Sequence, residues 1–251
     1  MRTSLAALAL AAIAAVGCSL ISAAAWPSST AGRVALVLGG WTVLGLLLAY
    51  LFLPQFEWPW AIEHSITGAR KLALTIDDGP HPESTPALLD VLAAEGVSAT
   101  FFLVGSGVER WPELVQRIVA EGHSIGNHTM HHRLLPLRTR SQIEEEIGRC
   151  QEILTRFGSV RLFRPPHGYK FLGLQRILRG YGLRLVAWHG SIRDTDAPGV
   201  QTIVDRALRV ARSGAILLLH DNPSCRGQTV AALPTIIAGC RARGLQFVGI
   251  T

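Results

Sequence analysis

Two carboxylates and two histidines have the types and spacing of a metal-dependent hydrolytic site. Asp77 and Asp78 are adjacent, and His128 and His132 are four residues apart. That spacing puts both imidazoles on one face if the segment forms a helical turn. Two imidazole nitrogens and one carboxylate make a three-ligand metal site with an open position for water or substrate. The second carboxylate could then act on water, so these residues indicate metal-assisted hydrolysis.

Neither pair is sufficient evidence by itself. Histidine pairs at this spacing are common on protein surfaces, and an Asp-Asp-Gly-Pro sequence is typical of a turn. The metal interpretation gains weight because the Asp pair and the histidine pair follow two different predicted strands. Two further polar clusters occur, an Arg-Pro-Pro-His-Gly sequence at 164–168 and a His-Asp pair at 220–221. Each of the four clusters follows a short apolar run that predicts a strand.

Seven apolar runs alternate with helical segments over the C-terminal part of the chain. This alternation predicts a mostly parallel sheet covered by helices. We expect an α/β fold, a distorted (β/α) barrel of about seven parallel strands, with an open doubly wound sheet as the alternative. Functional side chains of such a barrel lie just after the carboxyl ends of strands. The expected strands cover 71–76, 99–104, 124–126, 161–163, 184–188, 215–219 and 246–250.

One helix start is predicted from a specific signal. Ser141 and Glu144 have the spacing of a capping box, in which the first residue accepts a backbone hydrogen bond and the second returns one. We therefore expect a helix from this point to about Phe157.

The overall composition narrows the class of protein. The chain has 251 residues, 49% hydrophobic and 17% charged, with a formal net charge of +6. A charge fraction this low argues against a disordered chain. No basic run is interleaved with aromatic residues, so nucleic acid is not an expected partner. Four cysteines in a chain of this length do not make a disulfide scaffold, and no protein partner is implied.

The apolar excess lies at the N-terminus, where Arg2 and Arg33 are the only charged residues before position 57. Segments 5–25 and 34–53 are each long enough to cross a hydrocarbon core of ~30 Å as helices. We therefore expect N-terminal transmembrane helices in a membrane anchor over 1–60, followed by a catalytic domain over 61–251. A cleaved signal peptide ending near Ala25 is the alternative for the first segment.

Four segments of the chain resemble the polysaccharide deacetylase family, also called the NodB-homology domain or carbohydrate esterase family 4. They are, in order, TIDDGPHPESTPALLDVLAAEGVSATFFLVG, EGHSIGNHTMHH, FRPPHG and ILLLHD. The resemblance covers about residue 70 to the C-terminus. It implies a NodB-like fold and a metal-dependent deacetylase that hydrolyses the N-acetyl group of an amino sugar in a cell-envelope polysaccharide, such as peptidoglycan, a chitin-like polymer or a lipid-linked glycan. The alternatives are a related amide hydrolase or O-acetyl esterase of the same fold, and an inactive glycan-binding relative.

The resemblance also implies the metal ligands and the base. Asp78, His128 and His132 would bind a divalent metal, most often Zn²⁺, with Co²⁺, Ni²⁺ or Mn²⁺ as other occupants. Asp77 would be the general base that takes a proton from water. Arg164 would keep that carboxylate ionised and oriented.

The remaining implied roles concern the acid and the substrate. His220 would be the general acid that protonates the leaving amine, and Asp194 would pair with it. Leu218 would line the pocket for the acetyl methyl group, and the backbone N–H of His167 would bind the oxyanion. The substrate-contacting residues would be Pro165, Pro166, His167 and Leu218.

Three positions depart from the family pattern. Ile76 stands where a Phe is usual, and His167 where an aromatic residue such as Tyr is common. The sequence at 188–195 keeps Asp194 but lacks the Trp that usually follows it, which leaves the assignment of Asp194 and of the leucine pocket open.

The side of the membrane is not fixed by charge. Arg2 and Arg33 give almost no bias between the two sides. We expect an extracytoplasmic catalytic domain because envelope glycans lie outside, with the cytoplasmic face as the alternative.

Overall fold

The structure is a computed structural model that describes residues 29–52, 62–63, 66–171, 173–190, 192–225 and 227–250. The chain divides into two compact units, residues 1–50 and 51–251. The expected segment at 5–25 lies outside the described residues.

A helix begins at Thr30 and runs to Phe52 (α1), so the expected helix at 34–53 is present. Among the described residues, however, no helix combines the length and the apolarity that a membrane crossing requires. The expectation of transmembrane helices therefore has no support from the structure.

The second unit contains short parallel strands that alternate with helices. The strands are β1 (Ile62–Glu63), β2 (Lys71–Asp77), β3 (Thr100–Leu103), β4 (Ser124–Asn127), β5 (Leu162–Phe163), β6 (Arg184–Val186), β7 (Ile216–His220) and β8 (Gln246–Phe247). The helices are α2 (Ser84–Glu95), α3 (Gly105–Arg110), α4 (Pro112–Ala120), α5 (Arg140–Leu154), α6 (Leu174–Gly180), α7 (Val200–Val210) and α8 (Gln228–Ala242).

The sheet is entirely parallel, in the order β1-β6-β5-β4-β3-β2-β7, with β8 pairing separately with β2. All seven expected strands are present, and β1 is an eighth that the sequence did not reveal. Within the described residues β1 and β7 form the two ends of the main sheet and do not pair. The sheet is thus a curled half-barrel and not a closed barrel.

Alternation along the strands creates two apolar clusters on opposite sides of the sheet. Leu72, Leu74 and Ile76 of β2 belong to the larger cluster under the helices. Ala73 belongs to the smaller cluster on the other face, with Phe102, Leu162, Val186 and Ile216. Because side chains alternate along a strand, Thr75 and Asp77 share the face of Ala73, and Leu218 and His220 share that of Ile216. The concave face is therefore apolar at one end and polar at the carboxyl ends of the strands.

The start of α5 corrects the predicted capping box. The N-cap is Thr139, whose hydroxyl accepts a hydrogen bond from the Gln142 N–H (3.4 Å), while the Gln142 side chain accepts one from the Thr139 N–H (3.1 Å). Ser141 already lies inside the helix, two residues later than the cap. The helix ends at Leu154, earlier than expected. The sequence contains both Ser-x-x-Glu and Thr-x-x-Gln, and only the backbone shows which one caps.

We expect Thr139→Ala to lower the free energy of unfolding by ~1 kcal/mol, because an N-cap hydroxyl is lost. Urea denaturation followed by circular dichroism measures the change. Ser141→Ala is the matched control and should have a much smaller effect. Equal losses in both variants would contradict the assignment of the cap.

Candidate active site

The two adjacent carboxylates leave β2 in different directions. Asp77 is the last residue of the strand and is buried, whereas Asp78 has a left-handed backbone conformation (φ 79°). This change of backbone direction separates the side chains. Asp77 Oδ1 accepts a hydrogen bond from Arg164 (2.7 Å), and Asp78 Oδ1 faces the two histidines.

The predicted ligands come together. Nε2 of His128 lies 3.4 Å from Asp78 Oδ1, and Nε2 of His132 lies 3.1 Å from the same oxygen. Ligand atoms of the three residues all lie within 4.8 Å of one another. The structure therefore contains an Asp/His/His group able to hold a metal ion, as the sequence predicted.

The hydrogen bond of His128 fixes its tautomer. Its Nδ1 lies 2.7 Å from the Arg164 carbonyl oxygen. A carbonyl can only accept, so Nδ1 must carry the hydrogen, and Nε2 of the neutral ring presents a lone pair. A metal-binding imidazole is commonly oriented by its second nitrogen in this way.

The donor set fits a cation. Asp78 Oδ1 is buried and has no hydrogen-bond partner in the described part of the chain. The His128 lone pair points toward the same oxygen, and His132 Nε2 is on the other side. Lone pairs that converge without donors are stabilised by a positive charge between them. Imidazole and carboxylate donors suit Zn²⁺ and related divalent ions.

The loop that carries the histidines is not the helical turn that the sequence suggested. Thr129 (φ 69°) and His132 (φ 54°) both adopt left-handed conformations. The Thr129 N–H donates to Asn127 Oδ1 (2.9 Å), and the His132 N–H donates to Thr129 Oγ1 (3.1 Å). These side-chain hydrogen bonds, and not helical hydrogen bonds, bring the imidazoles together.

Arg164 is fully buried beneath the site. Besides Asp77, its guanidinium donates to Thr75 Oγ1 (2.8 Å) and to two backbone carbonyls at the end of β6. The same group stacks 4.1 Å from the ring centre of Phe102, which adds a cation–π contact. Because these contacts together fix the plane of the guanidinium, the Asp77 carboxylate is held in one orientation.

His220 lies opposite Asp77 in the pairing of β2 with β7. Its ring Nδ1 lies 2.7 Å from Asp194 Oδ1, and its backbone N–H donates to Asp194 Oδ2 (2.8 Å). Burial by itself would lower the pKa of His220, but the hydrogen bond and negative charge of Asp194 outweigh it, and the pKa is raised to about 9. His220 is therefore cationic at neutral pH. Both oxygens of Asp194 thus contact His220.

The four expected substrate-contacting residues border the same site. Pro165 and Pro166 are buried next to Arg164, and His167 is exposed with φ 60°. The His167 ring lies 4.7 Å from the His132 ring, edge to face. Leu218 is 8% exposed and shares the strand face of His220.

Sequence reasoning missed several polar residues that position the site. The Asn222 amide donates to Asp78 Oδ2 (2.9 Å), and the Asp221 N–H donates to the Asp77 carbonyl (2.7 Å). The buried Asp221 carboxylate accepts hydrogen bonds from the hydroxyls of Ser84 and Thr85 at the start of α2. The available signal was the polar run His220-Asp221-Asn222 at the end of β7. Only His220 of this run was given a role.

Asp194 and the loop that carries His128 and His132 are also held by hydrogen bonds with side chains elsewhere in the fold. The Thr229 hydroxyl donates to Asp194 Oδ2 (2.8 Å). Glu146, buried on α5, accepts from the N–H of His131 and contacts its ring (2.8 and 2.9 Å). Both residues come from distant helices, so the local sequence could not reveal them.

Comparison with known proteins agrees with this geometry. Residues 64–186 match the family model for polysaccharide deacetylases. The chain is 39% identical over 183 residues to a peptidoglycan-N-acetylglucosamine deacetylase of Bacillus cereus, covering 72% of this chain and 86% of the relative. It is 38% identical over 203 residues to a chitooligosaccharide deacetylase of Sinorhizobium fredii, covering 76% and 94%.

A solved peptidoglycan N-acetylglucosamine deacetylase, crystallised with an N-oxidanyl-benzamide, superimposes with a TM-score of 0.72 at 31% identity, covering 75% of this chain and 90% of the other. The chain belongs to the polysaccharide deacetylase family. It is a hydrolase of carbon–nitrogen bonds other than peptide bonds. Enzymes of this family depend on a metal.

We expect Asn222→Ala to weaken Zn²⁺ binding by roughly 10-fold or more, because a residue that orients a metal ligand is typically worth 10–100-fold in affinity. Without the Asn222 amide on Oδ2, the Asp78 carboxylate can rotate and turn its Oδ1 away from the histidines. Competition with a fluorescent chelator measures the dissociation constant. Ser224→Ala, in the same turn but without a contact to Asp78, is the control. An unchanged affinity in Asn222→Ala would contradict the positioning role.

Proposed function

We propose that this protein is a metal-dependent deacetylase that hydrolyses the N-acetyl group of an amino sugar in a cell-envelope polysaccharide. One observation carries the proposal: an Asp/His/His ligand group lies beside a carboxylate held by buried Arg164, and the strand partner of that carboxylate is an imidazole held by buried Asp194. A base and an acid beside a metal site are what amide hydrolysis requires.

The metal ligands in this proposal are Asp78, His128 and His132. A bound divalent ion supplies Lewis acidity, which polarises the amide carbonyl and makes water more acidic. Zn²⁺ is the proposed occupant because two imidazoles and one carboxylate are typical of catalytic zinc sites. Co²⁺, Ni²⁺ and Mn²⁺ could take the same donors.

Asp77 is the proposed general base. Its Oδ1 is bound by Arg164, whereas its Oδ2 lies 3.8 Å from His128 Nε2 and so faces the ligand group. An oxygen in that position can take a proton from a water that attacks the acetyl carbonyl. The fixed guanidinium keeps the carboxylate from turning that oxygen away.

His220 is the proposed general acid. A pKa of about 9 leaves its ring protonated at neutral pH. The Nδ1 hydrogen is bonded to Asp194, and the second ring proton is on Nε2. Transfer of this proton to the nitrogen of the amide allows the amine to leave. After transfer, the neutral ring keeps its orientation because its Nδ1 hydrogen bond to Asp194 remains.

The substrate would contact the rim of the site. We assign Leu218, on the strand face of His220, to the methyl of the acetyl group, because it is an apolar side chain next to the acid. Pro165, Pro166 and His167 would contact the sugar, and the His167 N–H would stabilise the oxyanion. These assignments are supported by placement beside the site.

Location follows from the proposed substrate. The relative from Bacillus cereus is named for peptidoglycan, which lies outside the cytoplasm, and this supports an extracytoplasmic catalytic domain. A domain boundary near residue 60, with an apolar N-terminal segment that attaches the enzyme to the envelope, belongs to the same proposal and rests on the sequence.

The direct test is the chemistry of the product. The Zn²⁺-loaded protein should release acetate from N-acetylglucosamine oligomers or from peptidoglycan, with one free amine formed for each acetate. Acetate release from O-acetylated xylan, with no amine formed from the other substrates, would replace the proposal with an esterase. Release from none of them would indicate a glycan-binding relative without this activity.

Asp77→Asn should lower kcat on the N-acetylated substrate by about 10²–10⁴-fold, the typical contribution of general acid–base catalysis. Zn²⁺ affinity should change little, because Asp78 and both histidines remain. Asp90→Asn, which alters an exposed carboxylate on α2, is the control and should retain full activity. Normal activity in Asp77→Asn would contradict the role of the base.

The alkaline limb of the pH–activity profile, where kcat falls with rising pH, tests the role of His220 as the acid. Because the acid must be protonated, kcat should fall as pH rises through about 9. Asp194→Asn removes the charge that raises the pKa, so the limb should move down by at least ~1 pH unit, equivalent to ~1.4 kcal/mol. Asp196→Asn, an exposed carboxylate in the same turn, should leave it in place. An unshifted limb in Asp194→Asn would contradict the pairing.

A further inference from the structure

A groove outside the proposed metal site is lined by arginines. It has a volume of about 340 Å³, and its walls include Arg138, Arg140, Arg176, Phe171 and Ile143. Two segments form it: the chain that leads into α5 and the chain that leads into α6. We call it the arginine groove. None of its residues has a part in the proposed chemistry.

The groove carries unbalanced positive charge. Arg140 forms an ion pair with Glu144 (2.8 Å). Neither Arg138 nor Arg176 has an acidic group within 4.0 Å in the described part of the chain, and both are exposed. Guanidinium groups bind carboxylates through two parallel hydrogen bonds. Phe171 and Ile143 add an apolar surface, so the groove offers both an anion site and a wall for a sugar ring.

The arginine groove is connected to the metal ligands by short stretches of chain. The first segment of the groove follows His132 in the chain, and the second follows His167. The ring centres of these two histidines are 4.7 Å apart. The strands that precede them, β4 and β5, are neighbours in the sheet. Arg138 is only six residues beyond His132, which limits their Cα separation to about 22 Å. A glycan chain several sugars long with one residue at the metal site is long enough to span this separation.

We propose that the arginine groove is a subsite for the carboxylate of an acidic sugar unit or its peptide substituent, on the same glycan chain as the N-acetyl sugar that reacts. This inference rests on the proposed deacetylase function and deepens it. Peptidoglycan, with carboxylates on alternate sugars, fits such a subsite. A neutral N-acetylglucosamine oligomer offers the arginines no partner, so the enzyme discriminates in favour of the acidic glycan.

The test compares two substrates of equal length, a neutral N-acetylglucosamine oligomer and an oligomer in which alternate sugars carry a free lactyl carboxylate. In Arg138→Gln/Arg176→Gln, kcat/KM for the acidic oligomer should fall about 10-fold, the effect expected from two solvent-exposed ion pairs, while kcat/KM for the neutral one stays the same. Raising the salt concentration should reduce the wild-type preference. Arg179→Gln, on α6 but outside the groove, is the matched control and should behave as the wild type.

The outcomes separate this inference from the function on which it rests. If the wild type deacetylates neither oligomer, the proposed function fails. If it deacetylates both and the double variant changes neither rate, or slows both equally, the subsite is wrong and the function stands. A wild-type preference for a phosphorylated glycan over the carboxylated one would also overturn it. Melting temperatures of all variants identify any rate loss that comes from unfolding.

Discussion

The buried ion pair between Arg164 and Asp77 is the interaction on which the site depends. A guanidinium with no solvent exposure is tolerated only when its donors are satisfied, and removal of one partner of such a pair typically costs about 3–5 kcal/mol. The partners come from β2 and from the end of β6, while Arg164 itself follows β5. One side chain thus ties together three strands and the proposed base. The backbone carbonyl of the same residue orients His128, so the base and a metal ligand share one support.

The two adjacent carboxylates can have different functions because the backbone turns between them. Without the left-handed conformation of Asp78, successive side chains would only alternate across the strand. Each carboxylate then has one oxygen bound by a protein donor: Arg164 for Asp77 and Asn222 for Asp78. The other oxygen of each faces the histidines. Both carboxylates are therefore oriented by groups that do not themselves bind the metal.

Much of this arrangement could be predicted from sequence, because it depends on local patterns. Seven strands, and the polar clusters that follow four of them, could be recognised from runs of apolar residues. The degree of closure of the expected distorted barrel and the conformation of the His128 loop could not be predicted, and the cap at Ser141 was wrong. Closure of the sheet depends on contacts between distant strands. The cap is decided between two overlapping local sequences, and the His128 loop by hydrogen bonds of Asn127 and Thr129 that span two or three residues, so here several local arrangements compete. Thr229 and Asn222 were missed because their partners are more than 30 residues away.

The carboxylate that keeps the pKa of His220 raised must not itself be a metal ligand. Asp77 and Asp78 both contribute to its raised pKa, but less than Asp194 does. A cation bound by Asp78 would offset the negative charge of that residue, and Asp77 loses its charge once it has taken a proton. Asp194 is fully buried, keeps both oxygens occupied by His220 and Thr229, and lies apart from the ligand group. Its charge is therefore the one that persists while the others change, which explains why a separate acidic residue is placed behind the proposed acid.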